Sequence, residues 1–224
     1  MTVPTVDPPI VLRVGLVVVS LGLWHLTQSL LKYRPDGTGV LGDGIHTLTA
    51  RLHRHLVTHP RLANWLLIVS SLGIDLLGCF VLAYSVFGPS IRPFVGLLML
   101  FFLRQVCQAL CALPPPEGMI WRATGVPSLL VTYGTSNDLF FSGHTALAVF
   151  GSIELGMWGG PAWAVVGVLL ALFEISTVLV LRAHYTLDVF TGAVTAFAAA
   201  VVATWIAPAC DNWLVEFGQR IGLG

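Results

Sequence analysis

Two short polar segments interrupt an otherwise strongly apolar chain, and their residue types suit chemistry at phosphorus. The first motif is Phe-Ser-Gly-His-Thr at residues 141–145, and the second motif is His-Tyr-Thr-Leu-Asp at residues 184–188. An imidazole is a good nucleophile when a carboxylate holds the proton on its other ring nitrogen. Asp188 follows His184 by four residues, so on a helix it can orient the ring and stabilise the imidazolium. His144 can protonate the leaving oxygen, which completes a set of groups for phosphoryl transfer.

Residues that could bind the phosphate lie near these motifs. Ser142 and Gly143 open a predicted helix, whose first backbone N–H groups form a natural phosphate cradle. Arginine contacts phosphate through two parallel hydrogen bonds, and Arg104 and Arg182 are the available candidates. Three aromatic residues could offer a ring face to a quaternary ammonium group. An interfacial aromatic belt explains their presence equally well. These are Trp121, Tyr133 and Tyr185.

The composition identifies the kind of element that must position these motifs. Of the 224 residues, 56% are hydrophobic and 10% are charged, and the mean hydropathy is +0.85. Soluble domains carry about 25% charged residues, so lipid must cover most of this surface. The formal net charge is zero, which gives no argument for nucleic acid binding. The sequence therefore predicts a polytopic integral membrane protein.

We expect one all-α domain, residues 1–224, in which six transmembrane helices form a bundle. A transmembrane helix needs about 20 apolar residues, and several of the apolar segments here end at Pro or Gly. The predicted spans are residues 10–31, 62–87, 91–113, 142–158, 162–181 and 186–207, with longer loops at 32–61 and 114–141. Because spans four and six both begin at the same membrane face, the two motifs converge there.

Lys and Arg residues are concentrated in the loops after spans one, three and five, which the positive-inside rule places in the cytoplasm. These residues are Lys32, Arg34, Arg51, Arg54, Arg61, Arg122 and Arg182. The other side has Arg92 and Arg220, with Arg13 inside the first span. The charge distribution predicts a cytoplasmic site and termini on the opposite side.

Other polar residues in unusual places have two interpretations each. Asp75 and Glu174 lie within predicted spans, where they form either part of an ion path or, as we favour, interhelical hydrogen bonds or salt bridges. Four histidines lie among arginines in the loop 32–61, and they indicate an amphipathic interfacial segment on anionic lipid rather than a metal site. These histidines are His46, His53, His55 and His59.

The two motifs resemble the signature motifs of the type 2 phosphatidic acid phosphatase superfamily. The closer resemblance is to its sphingomyelin synthase branch, which includes plant phosphatidylcholine:diacylglycerol cholinephosphotransferases. It covers about Arg104 to Gly192, and the stretch before Phe94 aligns in hydropathy alone. As in this branch, Arg104 lies ten residues before Pro114. Asp138 lies six residues before His144, as in sphingomyelin synthases. The plant transferases have matching residues at Ser152, Glu154 and Arg182.

This resemblance implies that His184 attacks phosphorus, that Asp188 supports it and that His144 serves the leaving group, without a metal or cofactor. It implies transfer of a phosphocholine-type headgroup from a glycerophospholipid to the hydroxyl of diacylglycerol or, as second choice, of ceramide; phosphoethanolamine and phosphoinositol are further possible headgroups. In the family the site usually faces the lumen or periplasm, which conflicts with the Lys and Arg distribution.

Two departures favour a transferase over a hydrolase. Classical lipid phosphatases have an arginine six residues before the second histidine, where this chain has Val178, and the Lys-x6-Arg-Pro motif is missing. A lipid phosphatase or phospholipase C-like hydrolase is the second hypothesis. A catalytically silent lipid-binding or transport protein is the third, although the intact His144, His184 and Asp188 argue against it. The oligomeric state is left open by the sequence.

Overall fold

The computed structural model describes residues 8–31, 39, 41–131, 133 and 139–222. Lys32, Arg34 and Asp138 therefore lie outside the described residues. Within the described ranges the chain is entirely helical, with no strand, which confirms the all-α prediction. The helices are α1 (Ile10–Leu31), α2 (Gly44–Leu48), α3 (Ala50–Thr58), α4 (Pro60–Phe87), α5 (Arg92–Leu110), α6 (Gly143–Gly159), α7 (Pro161–Val180) and α8 (Thr186–Arg220).

The six predicted spans correspond to the six longer helices. Among the described residues, α1, α4, α5, α7 and α8 are long and apolar enough to cross a membrane. The helix α6 has 17 residues, most of them buried, and it packs against α4, α5, α7 and α8. Five apolar helices fit a multi-pass integral membrane protein, and the sixth crossing, by α6, stays a prediction.

The final helix is longer than predicted. The sequence analysis ended it before Pro208, but α8 continues through this proline to Arg220. A proline inside a helix removes one backbone hydrogen bond and tends to kink or end it. Here packing outweighs that loss, because Ala207 and Leu214 are both buried, and Leu214 belongs to a cluster with residues of α1 and α5. The prediction of a helix end at 207 was wrong.

The predicted loop 32–61 also contains structure that the hydropathy did not indicate. It holds the short helices α2 and α3, and α3 packs against α4 and α7. Asp43 caps α2 by accepting hydrogen bonds from the backbone N–H groups of Ile45 and His46. These helices lie at the end of the bundle where α1, α5 and α7 finish and α4, α6 and α8 begin. We call this end the motif end and the opposite one the far end.

Small residues bring α5, α6 and α8 close together. Half of the buried residues of α8 are alanines, and close backbone approach through small residues is typical of membrane helix pairs. These alanines are Ala196, Ala199, Ala200, Ala203 and Ala207. A Cβ on Gly96 of α5 would lie 2.5 Å from the ring of Phe150 on α6. This packing fixes the relative positions of α5 and α6, which carry Arg104 and His144.

Candidate active site

The second motif lies in the turn between α7 and α8. Arg182 has φ +54°, a left-handed conformation that is uncommon for a residue with a side chain. Tyr185 is the N-cap of α8, and its backbone N–H donates to Oδ2 of Asp188 at 2.9 Å. His184 therefore precedes the helix. The expectation that it shares a helical face with Asp188 was wrong. The two side chains are nevertheless close, with Nδ1 of His184 3.7 Å from Oδ2 of Asp188.

The ring of His184 is oriented by a backbone carbonyl. Its Nδ1 lies 3.0 Å from the carbonyl oxygen of Leu139, two residues before the first motif. A carbonyl can only accept, so Nδ1 carries the hydrogen, and in the neutral ring Nε2 then holds the lone pair. The sequence analysis assigned this proton to Asp188; in the structure, the carboxylate lies beyond hydrogen-bonding distance. Asp188 can still stabilise an imidazolium electrostatically, because its side chain is fully buried beside the ring.

His144 lies in the first turn of α6. Ser142 caps this helix, with its Oγ accepting a hydrogen bond from the backbone N–H of Thr145 at 3.3 Å. The His144 ring meets that of Trp121 edge to face, with centroids 4.9 Å apart. Its Nε2 is buried and makes no hydrogen bond to any residue that the structure describes. A buried imidazole nitrogen without a partner beside a cavity is available to a reacting group.

Arg104 reaches the first motif from α5. It is buried, and its Nε would lie 3.0 Å from a Cβ placed on Gly143. Its Nη1 donates to Oε1 of Gln28 on α1 at 3.2 Å. The absence of a side chain at Gly143 thus lets the guanidinium lie over the N-terminal turn of α6. A positive charge next to free helix N–H groups is a favourable place for a phosphate.

One cavity connects these groups with an apolar interior. At its motif end it is lined by Arg104, Trp121, Gly143, His144 and His184. Further in, the walls come from α1, α4 and α5 and are apolar. They include Leu21, Ile74, Leu82, Phe94, Leu97 and Leu98. Ten residues of α5, or about 15 Å of helix, separate Arg104 from Phe94. The cavity is therefore polar at one end and apolar along its length, which suits an amphiphile.

Several of the predicted site residues do not line this cavity. Ser142 is buried as a helix cap, and Nη1 of Arg182 donates to the carbonyl oxygen of Glu117 at 2.7 Å. The ring of Tyr185 packs 5.8 Å from that of His46. The hydroxyl of Tyr133 hydrogen-bonds Oγ of Ser71, while its ring packs against Trp121. Asp138 lies outside the described residues. Of the predicted aromatic residues, Trp121 lines the cavity.

The structure adds Asp43 and His46, which the sequence analysis did not connect with the site. Oδ2 of Asp43 accepts the backbone N–H of Thr186 at 2.6 Å, and Nε2 of His46 lies 2.9 Å from the carbonyl oxygen of His184. Burial alone raises the pKa of Asp43, but the hydrogen bonds from Thr186 and His46 outweigh it and keep this pKa below its ordinary value. The sequence signal for Asp43 was its position as a helix N-cap before residue 44. That signal does not show that Asp43 also contacts Thr186.

The four histidines of the loop 32–61 divide into two pairs. His46 and His53 are buried, and Nδ1 of His53 bonds the carbonyl oxygen of Val180 at 2.8 Å. These two side chains contact the protein and therefore lie on the inner face of the segment. His55 and His59 are exposed and stacked, with ring centroids 4.1 Å apart. For this second pair the interfacial interpretation stays a prediction.

Glu174 forms the interhelical hydrogen bond that we favoured, whereas Asp75 bonds a loop and not a neighbouring helix. Asp75 accepts the backbone N–H groups of Leu129 and Leu130, both at 2.8 Å, and so anchors the loop that follows Trp121. Glu174 accepts a hydrogen bond from Ser70 across the α4–α7 interface. Both carboxylates therefore hold elements together.

The fold and the cavity define a class: a multi-pass helical membrane protein with buried histidine and arginine groups at one end of an amphiphile-shaped cavity. Comparison with protein families gives a narrower result. The model of the AtPDCT1/2 family, the phosphatidylcholine:diacylglycerol cholinephosphotransferases, matches residues 43–205, and the chain belongs to this family. The match starts at Asp43, well before the region that the two motifs cover. No curated protein and no solved structure matches the chain significantly.

Proposed function

We propose that this protein transfers phosphocholine from phosphatidylcholine to the hydroxyl of diacylglycerol, with His184 as the nucleophile. The observation that carries the proposal is the cavity, in which Arg104, His144 and His184 meet at one end of an apolar channel. Membership of a transferase family supports the enzymatic activity and the lipid pair. The superfamily relationship to type 2 phosphatidic acid phosphatases rests on the resemblance of the two motifs.

In the first half-reaction, the lone pair on Nε2 of His184 forms a bond to the phosphorus of phosphatidylcholine. The bond from phosphorus to the glycerol oxygen breaks, and His144 in its protonated form gives that oxygen its proton, which releases diacylglycerol. The imidazolium that forms on His184 is stabilised by the buried carboxylate of Asp188, 3.7 Å from Nδ1. Arg104 and the first N–H groups of α6 stabilise the charge that develops on the phosphoryl oxygens.

In the second half-reaction, the neutral His144 takes the proton from the hydroxyl of a second diacylglycerol. The hydroxyl oxygen attacks phosphorus, the bond between phosphorus and Nε2 breaks, and phosphatidylcholine forms. The two half-reactions are the same step in opposite directions, so one set of groups serves both. Trp121 lines the cavity beside His144 and offers an aromatic face to the quaternary ammonium group.

The apolar channel explains why a lipid hydroxyl, and not water, would be the acceptor. Its walls exclude water and accept an acyl chain, so an acceptor with acyl chains is held next to the phosphorus while water is not. The channel itself would fit diacylglycerol or ceramide, and the family favours diacylglycerol.

The test is headgroup exchange in detergent micelles that contain unlabelled phosphatidylcholine and glycerol-labelled diacylglycerol. We expect labelled phosphatidylcholine from the wild type and a decrease of about 10³-fold or more for His184→Ala, because the covalent path is removed. His53→Phe is the matched control, since it changes a buried histidine that lies outside the cavity.

The products distinguish the alternatives. Release of water-soluble phosphocholine, dependent on His184, would identify a hydrolase instead, and product from labelled ceramide but not diacylglycerol would change the acceptor. A double His144→Ala and His184→Ala variant that kept full turnover would contradict the proposed site. The absence of any turnover by folded wild-type protein would favour a silent lipid-binding scaffold.

A further inference from the structure

The segment that precedes α3 holds the backbone of the proposed nucleophile from outside the cavity. Asp43 lies just before α2 and contacts Thr186, and His46 lies on α2 and contacts His184. They come from a part of the chain about 140 residues earlier. Neither residue lines the cavity, so neither contacts the substrate in the proposed reaction.

Asp43 joins the starts of two helices. Its Oδ1 accepts the N–H of Ile45 at 2.9 Å and the hydroxyl of Thr186 at 2.8 Å, while its Oδ2 accepts the N–H of Thr186 at 2.6 Å. The same carboxylate therefore caps α2 and binds the first residue of α8. Charge-assisted hydrogen bonds to backbone N–H groups are among the stronger ones in proteins.

His46 fixes the peptide group of His184 itself. Its Nε2 lies 2.9 Å from the carbonyl oxygen of His184, so this nitrogen must be the donor. The His46 ring is buried, and it packs beside the ring of Tyr185. The ring of His184 is held by Leu139, its carbonyl by His46, and the chain two residues later by Asp43.

We propose that Asp43 and His46 are positioning residues that hold the backbone of His184 so that Nε2 faces the phosphorus. The inference rests on the proposed role of His184 in headgroup transfer. The turn around His184 needs such support, because it includes the left-handed Arg182 and precedes the first helical residue of α8. A misplacement of about 1 Å at a reacting atom can lower the rate by roughly 10²-fold.

His53 provides a matched control from the same segment. It is also buried, and its ring also bonds a backbone carbonyl, but that carbonyl belongs to Val180, four residues before His184. A general loss of packing in this segment would affect both histidines alike. A positioning role is specific to His46.

The experiment measures kcat and KM for the exchange of diacylglycerol with phosphatidylcholine, together with thermal unfolding in detergent, for four proteins. They are the wild type, His46→Phe, His46→Gln and His53→Phe. We expect His46→Phe to lower kcat at least tenfold while KM changes less than twofold. His46→Gln, whose amide still donates at the Nε2 position, should stay within about threefold of the wild type. His53→Phe should keep the wild-type kcat.

A second measurement tests the same inference without the reaction. Diethyl pyrocarbonate acylates imidazole nitrogens, and mass spectrometry of the peptide that contains His184 gives the rate at that residue. We expect the acylation rate at His184 to differ at least threefold from the wild-type rate in His46→Phe. In His46→Gln it should again be close to the wild-type rate. If His46→Phe does not fold, Asp43→Asn and Thr186→Val replace it in both assays, because they weaken the neighbouring contacts between Asp43 and Thr186.

The outcomes separate the two proposals. An inactive, folded wild type would contradict the proposed function, and the acylation rates would still decide the positioning role. An unchanged kcat and acylation rate in His46→Phe would overturn the inference while leaving the function intact. An equal loss of kcat in His53→Phe would also overturn it, because the effect would then belong to the segment as a whole.

Discussion

The two ends of the helix bundle both bury charged side chains, but they use them differently. At the far end, Arg92 of α5 pairs with Glu154 of α6, and Asp211 of α8 accepts hydrogen bonds from Ser90 and Ile91. Nη1 of Arg13, on α1, donates to the carbonyl oxygens of Val86 and Gly88. These contacts link neighbouring helices where the chain reverses direction.

At the motif end, the buried polar groups surround a cavity. His144 has a ring nitrogen without a partner among the described residues, and His184 has a ring nitrogen left over after its bond to Leu139. Both side chains line the cavity, whereas Arg92, Glu154 and Asp211 do not. Charged groups in a membrane protein are expensive, so each end needs a reason to keep them. The far end uses its charges to join helices, and we propose that the motif end keeps its charges for chemistry.

The largest expected effect is on activity at the motif end. Replacing His144 by Ala removes the proposed acid and base, so we expect headgroup exchange to fall by about 10²- to 10⁴-fold. The measurement is initial rate with labelled diacylglycerol, at matched amounts of folded protein. A rate within threefold of the wild type would show that His144 has a packing role beside Trp121.

The next effect is on stability at the far end. Glu154 is fully buried against Arg92, and Glu154→Leu leaves the arginine charge without its partner. We expect the free energy of unfolding, measured by thermal unfolding in detergent, to decrease by about 3–5 kcal/mol. The protein that remains folded should keep its kcat. The double variant Arg92→Met with Glu154→Leu should recover much of this stability. A selective loss of kcat with normal stability would contradict the division between the two ends.

A smaller effect is expected for the charge of Asp188. In Asp188→Asn an amide oxygen can still accept the N–H of Tyr185, so the start of α8 is kept while the negative charge near His184 is lost. We expect kcat to fall about 10- to 100-fold, equivalent to roughly 1.4 to 2.7 kcal/mol in the transition state. Circular dichroism and the unfolding temperature serve as controls. An unchanged kcat would mean that Leu139 alone orients the ring.

The smallest effect concerns pH and His53. Burial is the main cause that lowers the pKa of His53, with the charge of Arg182 also contributing. The folded state therefore disfavours protonation, so stability is fully present above the unfolded pKa of about 6.5 and decreases as pH falls below it. Unfolding temperatures between pH 7.5 and 5.5 should fall more for the wild type than for His53→Phe. Parallel curves would show that another group causes the dependence.

The sequence predicted the helices well because apolar length and Pro or Gly boundaries are local properties. The start of α8 at Thr186 and the helix opened by Ser142 agree with the structure. Pro208 misled the prediction, since packing by Leu214 on its far side maintains the helix. The sequence indicated an amphipathic segment in the loop 32–61 but did not give the bounds of α2 and α3, because their polar residues do not form an apolar run.

The sequence by itself determined the membrane class, the two motifs and the resemblance to the phosphatidylcholine:diacylglycerol cholinephosphotransferases, because these depend on residue type and spacing. The family match supports that part of the resemblance. The tertiary structure decided which side chains meet. Arg104 enters the cavity from α5, while Arg182, two residues from His184, turns toward Glu117. Asp43 and His46 contact the second motif from far along the chain. The physical reason is that spacing fixes neighbours along one helix, whereas contacts between helices depend on their packing and rotation.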